Sequence, residues 1–595
     1  MNTEKISLIY PKIKIRNESG EVIRVTEPGY KTLNEETIHN LGLDAIVQSL
    51  SPIEAERAFI MRVLSHTTLD PYVAGYRADV FEDILNFPSL REDMMKILDK
   101  INFLKSYGTF KKEYEESASA FELIHRLEEI NDYIICVEAI HNCLIGTDIK
   151  SEGLNNLREY VDKVYNDNAF SELKEDIKSL KGSTSELKSI TLGINLNERF
   201  EAESIGVISI NNKKFSKSGV IGNFSDAITA RKGGVKDGNE WDEDYRFQPF
   251  KASAVDIAAS VESLGRFKIA SSSPIGLLTM AAIPQADSTV DVTRYMDRIV
   301  NHMLYITVKK LKSVLNKYVN VTITDITDLI PEFVYYIRFA EYVEKMKAAG
   351  YKLKKARVVA GDDVKSSEAD KKDRIYTRAQ GVYNILLAQS HIADRIDIVK
   401  NDLDFDTEHL VYVLTGANRG GKTTITVAIG QLFVLAQGGI YIPGDYFEYT
   451  PVDCIYTHFP ADEDKTMDLG RLGEECKRFK ELYSDAGPNS LILLNETFST
   501  TSFEEGYYIA RDAIRALLKK ETRTIYNTHM HKLARDIDEI NNEASKENEA
   551  KAQSLIVKTD GGERSFKIAV APPEGMSYAE DIAKKYGVTY EMLTE

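Results

Sequence analysis

Long apolar runs, cysteine and tryptophan are scarce in this chain of 595 residues. No apolar stretch approaches the roughly 20 residues that a membrane span needs, and the N-terminal sequence MNTEKISLIYPKIKIR lacks the apolar segment of a signal peptide. The four cysteines, Cys136, Cys143, Cys454 and Cys476, show neither metal-ligand spacing nor a disulfide framework. These features argue against a membrane protein or a disulfide-rich secreted one, and they predict a cytoplasmic protein.

Basic residues are also fewer than acidic ones. The chain has 75 Lys and Arg and 92 Asp and Glu, which gives a net charge of −17. This balance argues against a surface that coats nucleic acid indiscriminately, although a local basic patch stays possible. The 43% hydrophobic and 28% charged content is ordinary for a globular protein. The length predicts about three to five domains.

The strongest motif begins in the apolar run Val411–Thr415, which predicts a buried strand. It continues as GANRGGKT, which fits G-x-x-x-x-G-K-[ST], and the run Ile425–Ala436 predicts a following helix. Such a loop cradles phosphates with backbone N–H groups, its lysine reaches the β- and γ-phosphates, and its threonine ligates Mg²⁺. The candidate nucleotide-binding residues are Gly416, Ala417, Asn418, Arg419, Gly420, Gly421, Lys422, Thr423 and Thr424.

A second buried strand, Leu491–Leu494, ends in Asn495-Glu496. Aspartate is usual at the first of these positions, so the neutral amide of Asn495 predicts weaker Mg²⁺ binding. Glu496 is the candidate general base or water-positioning carboxylate. An ordinary carboxylate at a strand end is the alternative interpretation.

A third predicted strand, Thr522–Asn527, ends in Thr528-His529. His529 is the candidate sensor of the γ-phosphate, and the alternative is a structural histidine. The hydroxyl-rich turn Thr497–Ser502 could cap the predicted helix Phe503–Lys519 or contact a partner across a dimer interface.

Outside this region the chain alternates between helical and strand-like segments. Residues 1–33 predict a β-hairpin from Ile6–Ile15 and Val22–Val25, and residues 34–190 predict helices that begin near Asn34. The further predictions are strands at Ser189–Leu196 and Ile205–Ile210, and an exposed loop at Lys232–Gly238 near the sole tryptophan, Trp241. Helices are predicted at Val292–Leu315 and Ile326–Ala349, and a linker or exposed loop at Tyr351–Arg374.

Four motifs resemble the MutS family of DNA mismatch-repair ATPases, which belongs to the ABC-type ATPases. They are LTGANRGGKTT (Leu414–Thr424), PVDCIYTHF (Pro451–Phe459), LLNETFSTTS (Leu493–Ser502) and NTHMHKL (Asn527–Leu533). Further similar segments are Asn401–Leu403 to the family's entry motif, Gly75–Leu85 and Val382–Ser390 to its helical core or lever, and Ser577–Thr589 to the segment after the ATPase. The resemblance covers roughly residues 35–115 and 290–595.

The resemblance implies a multidomain α plus α/β protein, with a long helical lever and clamp region, a small β-containing insert and a C-terminal phosphate-loop ABC-type ATPase domain. The implied divisions are a hairpin segment (1–33), the first lever part (34–115), the clamp or insert (116–290), the second lever part with a linker (291–400) and the ATPase domain (401–595). Gly416–Thr424 would bind ATP, Thr423 and Asn495 would serve Mg²⁺, Glu496 would activate water and His529 would sense the γ-phosphate.

Several departures from the family are expected to matter. We expect the protein to lack the family's N-terminal mismatch-reading domain with its Phe-x-Glu motif, its helix-turn-helix tail and the Smr domain. The segment that should reach a partner's ATP carries Gly470–Glu474 in place of a Ser-Thr pair. Together with Asn495, this segment predicts slow hydrolysis.

The first functional hypothesis is a dimeric, ATP-gated clamp, a homodimer or a paralogue heterodimer joined through the ATPase domains, that binds DNA or another nucleic acid structure. Candidate backbone contacts are Lys213, Lys214, Lys217, Arg231 and Lys232, for which a solvated charged surface is the alternative. The second hypothesis is a slow nucleotide switch that acts on a protein or ribonucleoprotein partner. An ABC transport ATPase is a third, less favoured class, because an LSGGQ-type signature is missing.

Overall fold

A computed structural model describes two compact units of the chain. Unit 1 comprises residues 1–96, 142–160 and 327–595, and unit 2 comprises residues 97–141 and 161–326. The described residues are 6–16, 22–101, 120–184, 189–196, 198, 202–211, 245–248, 329–359, 376–393, 397–406, 408–416, 420–460, 470–544, 550–560, 563–573 and 586–594. No helix within these ranges is long and apolar enough to cross a bilayer.

The strands and helices of the described ranges are numbered in chain order. The strands are β1 (Ile13–Arg16), β2 (Val22–Thr26), β3 (Lys31–Thr32), β4 (His66–Thr67), β5 (Ser189–Leu196), β6 (Ala202–Asn211), β7 (Tyr245–Gln248), β8 (Leu353–Lys354), β9 (Arg357–Val358), β10 (Thr377–Val382), β11 (Asn401–Phe405), β12 (His409–Thr415), β13 (Ile442–Pro443), β14 (Tyr446–Tyr449), β15 (Ile455–His458), β16 (Leu491–Asn495), β17 (Arg523–Asn527), β18 (Lys551–Asp560) and β19 (Glu563–Val570). The helices are α1 (Glu35–Asn40), α2 (Leu43–Leu50), α3 (Glu54–Ser65), α4 (Pro71–Asn86), α5 (Pro88–Ile101), α6 (Ala120–Leu144), α7 (Glu152–Tyr165), α8 (Asn168–Thr184), α9 (Leu329–Ala348), α10 (Ile385–Ser390), α11 (Lys422–Gln437), α12 (Gly470–Asp485), α13 (Phe503–Lys520), α14 (His531–Arg535), α15 (Ile537–Ala544) and α16 (Tyr590–Thr594).

Unit 1 is built on a six-stranded sheet in the order β15-β16-β17-β12-β18-β19. The first five strands run parallel, and β19 pairs antiparallel with β18. All residues of β16 and β17, and Leu410–Thr415 of β12, are buried. Strands covered on both faces read as continuous apolar runs, which is why the sequence predicts these three strands.

Helices cover both faces of this sheet. On one face, Val411, Val413, Ile492 and Leu494 share a hydrophobic core with residues of α13, α14 and α15. On the other face α11 packs so closely that a Cβ on Gly430 would lie 2.9 Å from Leu493 Cδ1. Alternate residues of a strand point to opposite faces, so each buried strand serves both layers.

The predicted helix starts are confirmed where a side chain caps them. Asn34 accepts a hydrogen bond from Thr37 N (2.8 Å) at the start of α1. Ser502 accepts one from Glu505 N (3.4 Å) at the start of α13, as the hydroxyl-rich turn predicts. Such caps satisfy backbone donors that the helix itself leaves unpaired.

Helix α1 covers β15, which is an edge strand of the sheet. Thr457 N of that strand donates to Thr37 Oγ1 (3.2 Å), and Asn40 Nδ2 donates to Thr457 Oγ1 (3.0 Å). An exposed strand edge carries unpaired backbone groups. The N-terminal helices are therefore bonded directly to the C-terminal sheet.

Two glutamine side chains on α11 are buried and bond to the surrounding segments. Gln431 Nε2 donates to Leu41 O (2.9 Å), and Gln431 Oε1 accepts from Ile385 N (3.2 Å). Gln437 Nε2 donates to Thr68 O (3.1 Å) and to Val452 O (3.0 Å). The apolar helix predicted from the sequence thus carries polar anchors as well.

The N-terminal hairpin is confirmed, since β1 and β2 pair antiparallel, but its first strand starts at Ile13 and not at Ile6. The reason is that Leu8 and Ile9 are buried and Leu8 N donates to Glu332 Oε2 (2.6 Å) on α9. This interaction holds the residues before Ile13 against a helix and keeps them out of the hairpin.

The prediction of a linker or exposed loop at Tyr351–Arg374 is wrong in its first part, which contains two short strands. Leu353 is buried and belongs to β8, which pairs with β13, while β9 pairs with β14. Strand β14 also pairs with β10, which pairs with β11, giving a second sheet in the order β11-β10-β14-β9. The residues from 360 to 375 lie outside the described ranges.

In unit 2, β5, β6 and β7 form an antiparallel sheet. It confirms the two predicted strands and adds β7, which the sequence pattern did not indicate. His141 of α6 stacks on Tyr165 of α7 with ring centroids 3.8 Å apart. The predicted loop at 232–238, Trp241, the predicted helix at 292–315 and the basic residues 213, 214, 217, 231 and 232 lie outside the described residues.

Candidate nucleotide-binding site

Three parallel strands bring the candidate site residues to one edge of the sheet. Asn495 at the end of β16 is the register partner of Asn527 at the end of β17, and Asn527 lies beside Leu414 of β12. The carboxyl ends of parallel strands are where such sheets place ligand sites. Residues from distant parts of the chain therefore meet here.

The glycine-rich loop connects β12 to α11 at this edge. Gly421 has φ +86° and directly precedes α11, and Gly416 has φ +145°, where an added Cβ would lie 3.0 Å from Val557 Cβ. No side chain of the described residues caps α11, so its first-turn N–H groups face outward as an anion site. Three predicted binding residues, Ala417, Asn418 and Arg419, lie outside the described ranges.

Lys422, the first residue of α11, is 5% exposed. Its Nζ donates to Gly416 O at 3.1 Å, across the loop. Burial lowers the pKa of Lys422, and the negative charge of Glu496 partly offsets this shift. The side chain thus places a cation beside the loop, with a carboxylate close enough to affect it.

Thr423 and Asn495 are in direct contact. Thr423 Oγ1 donates to Asn495 Oδ1 at 3.0 Å. Asn527, which sequence analysis did not single out, also belongs to this group, because its Nδ2 donates to Asn495 Oδ1 and to Thr423 Oγ1, the latter at 3.3 Å. The group carries no formal charge.

Glu496 and His529 form a pair at the same edge. His529 Nε2 lies 2.9 Å from Glu496 Oε1, and His529 N donates to Glu496 Oε2 at 3.2 Å. Glu496 has φ +52°, a left-handed conformation that is uncommon for a residue with a side chain. Its backbone N donates to Asn527 O (2.9 Å), so this turn is bonded to the neighbouring strand end.

A buried histidine supports the turn from behind. His458 Nδ1 lies 3.0 Å from Thr497 Oγ1, and His458 Nε2 lies 3.2 Å from Glu475 O on α12. Burial, assisted by the positive charge of Arg478, lowers the pKa of His458 to about 4. The motif PVDCIYTHF contains this residue, but the sequence indicates nothing about its burial.

The structure thus groups Gly416, Gly420, Gly421, Lys422, Thr423 and Thr424 with Asn495, Glu496 and His529 at one sheet edge. The segment Gly470–Glu474, expected to differ from the family, forms the start of α12. Hydroxyl, amide, carboxylate and ammonium groups in this arrangement can bind a phosphate group, hold a metal ion and orient a water molecule. The catalytic and binding roles assigned to these residues stay predictions.

Comparison with known proteins gives two family matches. The family model described as MutS domain V matches residues 412–586, and that described as the MutS2 N-terminal domain matches residues 70–218. Proteins named "DNA mismatch repair protein MutS" are similar, with 31% identity over 202 residues in Carboxydothermus hydrogenoformans and 28% over 249 residues in Leuconostoc citreum. A protein named "Endonuclease MutS2" from Caldicellulosiruptor bescii is 27% identical over 195 residues.

These matches cover 33%, 40% and 33% of this chain, respectively, but only 23%, 28% and 25% of the relatives. The chain therefore matches about a quarter of the length of each curated relative named here. The parallel sheet, with a glycine-rich turn between β12 and α11, defines an α/β domain of the phosphate-loop class. Two parts of the chain thus match models of MutS-family domains, and the resemblance found in its motifs is confirmed.

Proposed function

We propose that this chain binds ATP with Mg²⁺ at the edge formed by β12, β16 and β17, and hydrolyses it slowly. The observation that carries the proposal is the convergence of Lys422, Thr423, Asn495 and the Glu496–His529 pair at the start of α11. The open N–H groups of this helix and the lysine suit a triphosphate. The hydroxyl and amide oxygens suit a hard cation.

ATP would supply the phosphoanhydride bond, and Mg²⁺ would offset the charge on its phosphate oxygens. Lys422 would bind phosphate oxygens. Thr423 would offer its hydroxyl oxygen to the metal while its O–H donates a hydrogen bond to Asn495. Glu496 would orient the attacking water and accept its proton. A carboxylate has about four acceptor positions, so the two contacts with His529 leave Glu496 able to accept further hydrogen bonds.

The slow rate in this proposal follows from Asn495. An amide oxygen carries less negative charge than a carboxylate, so it stabilises a hydrated Mg²⁺ less well. The phosphate-binding half of the site does not share this deficit, because Lys422 and the helix N-terminus are unaffected. Binding should therefore be ordinary while turnover is low.

Calorimetry with ATP and Mg²⁺ tests the binding. Lys422→Ala should lose ATP binding, while Lys480→Ala, which removes an exposed lysine on α12, should bind as the wild type does. Glu496→Ala should bind ATP and lose turnover, measured as phosphate release. A wild-type protein that ignores ATP would refute the proposal, and an active Glu496→Ala protein would remove Glu496 as the base.

We further propose that the whole protein is a dimeric clamp on nucleic acid, with DNA as the first candidate, in which ATP binding moves helical levers. The matches to MutS domain V and to the MutS2 N-terminal domain support this proposal. So do the names of the relatives, which include "DNA mismatch repair protein MutS". Allostery of this kind requires that both ligands bias one shared conformational equilibrium.

A filter-binding panel of duplex, branched and single-stranded DNA and of RNA tests the clamp. It is run with ATP, with ADP and without nucleotide at about 50 mM salt, with Lys422→Ala as the control. Phosphate contacts predict affinity that falls steeply as salt rises. Absence of binding to every nucleic acid with ATP, or small-angle scattering that shows a monomer of unchanged shape, would contradict this proposal.

The second candidate is a slow nucleotide switch whose partner is a protein or a ribonucleoprotein. Two observations favour it: the neutral Thr423–Asn495–Asn527 group and the net charge of −17, which disfavours general attraction to nucleic acid. Pull-down from native lysate with and without ATP separates the two candidates. A nucleotide-dependent protein partner would support the switch, and an eluate containing only nucleic acid would count against it.

A further inference from the structure

Asn495 poses a chemical problem that an aspartate at the same position would not. The two oxygens of a carboxylate are equivalent, so either can accept the hydroxyl proton of Thr423. An amide has one acceptor end and one donor end, and only its oxygen can accept that proton. A neighbouring group must therefore fix the orientation of the Asn495 amide relative to Thr423.

Asn527 is the neighbouring residue that can fix this orientation. It is the parallel register partner of Asn495, so the two side chains leave adjacent strand ends on the same face of the sheet. Asn527 Nδ2 donates to Asn495 Oδ1 and also lies 3.3 Å from Thr423 Oγ1. Asn527 is fully buried, so water does not compete for these contacts.

The orientation of Asn527 leaves one of its own atoms unsatisfied. Among the described residues, Asn527 Oδ1 has no hydrogen-bond partner, although buried polar atoms are usually paired and an unpaired one costs about 1–3 kcal/mol. The opposite orientation would put Oδ1 against the oxygens of Asn495 and Thr423. The described orientation keeps both donations from Nδ2 and leaves the carbonyl oxygen without a partner among the described residues.

We propose that Asn527 is a positioning residue of the metal half of the site, which holds the amide of Asn495 with its oxygen towards Thr423. This inference rests on the proposed binding of ATP with Mg²⁺. In this arrangement the Thr423 hydroxyl donates its hydrogen bond to Asn495 Oδ1. A lone pair of Thr423 Oγ1 is then left for the metal. The pair of neutral amides replaces the single carboxylate that phosphate-loop sites use at this strand end.

The test is a double-mutant cycle read out as the Mg²⁺ dependence of ATP affinity. Calorimetric titrations with ATP are run over a series of free Mg²⁺ concentrations and in excess chelator, for Asn527→Ala, Asn495→Asp and the double variant. With Asn495 present, Asn527→Ala should raise the Mg²⁺ concentration for half-maximal effect by about three- to tenfold, the worth of one hydrogen bond. Its ATP affinity in chelator should stay within about twofold of wild type.

In the Asn495→Asp background, Asn527→Ala should leave the Mg²⁺ midpoint unchanged or lower it, because a carboxylate needs no orientation. A purely structural role of Asn527 predicts the same loss in both backgrounds, and that result would overturn the proposal. Thr415→Val is the matched control, since Thr415 is equally buried at the end of β12 and its Oγ1 has no partner among the described residues.

Asn527→Leu, which keeps a similar volume and removes the Nδ2 donor, keeps the test decisive if the alanine variant does not fold. It should raise the Mg²⁺ midpoint as Asn527→Ala does and leave ATP affinity in chelator within about twofold of wild type. A folded Asn527→Leu protein with an unchanged Mg²⁺ midpoint would overturn the proposal. A wild-type protein that binds no ATP would refute the proposed function and this inference together, whereas normal ATP binding with an unchanged Mg²⁺ midpoint in Asn527→Ala would refute the inference alone.

Discussion

Acidification from about pH 7.5 to about pH 5 should destabilise the sheet edge through His458. The imidazole is 2% exposed, and burial lowers its pKa to about 4, compared with the ordinary value of 6.5. The unfolded chain therefore binds a proton in the window between these values that the folded chain excludes. The contribution of His458 to stability is fully present above the pKa of the unfolded state. It is lost as the pH falls towards the pKa of the folded state.

The size of the effect follows from the two pKa values. At about pH 5 the folded protein should lose about 2 kcal/mol through this residue, and below about pH 4 the loss should level off near 3 kcal/mol. Other groups titrate in the same window, so the comparison is made with His458→Gln. Glutamine is neutral at every pH and keeps an N–H for the carbonyl of Glu475.

Urea unfolding at the two pH values measures the difference, with coincidence of fluorescence and circular dichroism as the check on two-state behaviour. Hydrogen exchange in peptides from β15 and β16 reports the same quantity locally. Wild type should lose about 2 kcal/mol more than His458→Gln between the two conditions. Equal losses in the two proteins would show that the imidazole is not held neutral by burial, and the reasoning would fail.

Three further predictions concern the site and its support. Asn495→Asp should raise kcat for ATP hydrolysis, measured by phosphate release, because a carboxylate anchors hydrated Mg²⁺ better; an unchanged or lower kcat would contradict this. Thr37→Val removes the acceptor of Thr457 N on the edge strand, and it should reduce the free energy of unfolding by about 1–3 kcal/mol, with a change under about 0.5 kcal/mol in urea denaturation counting against it. Asn34→Ala removes the cap of α1 and should cost about 1 kcal/mol by the same assay, while Asn34→Asp, which can also cap, should not.

The strand–loop–helix at the centre of the site was predictable because each part has a local cause. Strand β12 is buried on both faces and therefore has an apolar run, the glycines allow the turn, and the apolar stretch of α11 follows directly. The same logic found the strands now numbered β16 and β17 to within a residue at their ends. Buried parallel strands express their environment in their own composition.

The unpredicted parts depend on contacts between distant segments. Asn527 lies beside Asn495 because β16 and β17 are neighbours in register, and no local pattern records strand order or register. Burial of His458 comes from α12, which follows it in the chain, and β8 is only two residues long with a partner about 90 residues away. Two-residue strands carry too little periodicity to distinguish them from a loop.

The two buried glutamines of α11 restrict how the phosphate loop can communicate with the rest of the chain. A slide of the helix by one residue is about 1.5 Å, which would disturb the bonds of Gln431 and Gln437 to Leu41, Thr68 and Val452 together. A displacement that begins at Gly421 is therefore coupled through these bonds to the N-terminal segments that carry Leu41 and Thr68.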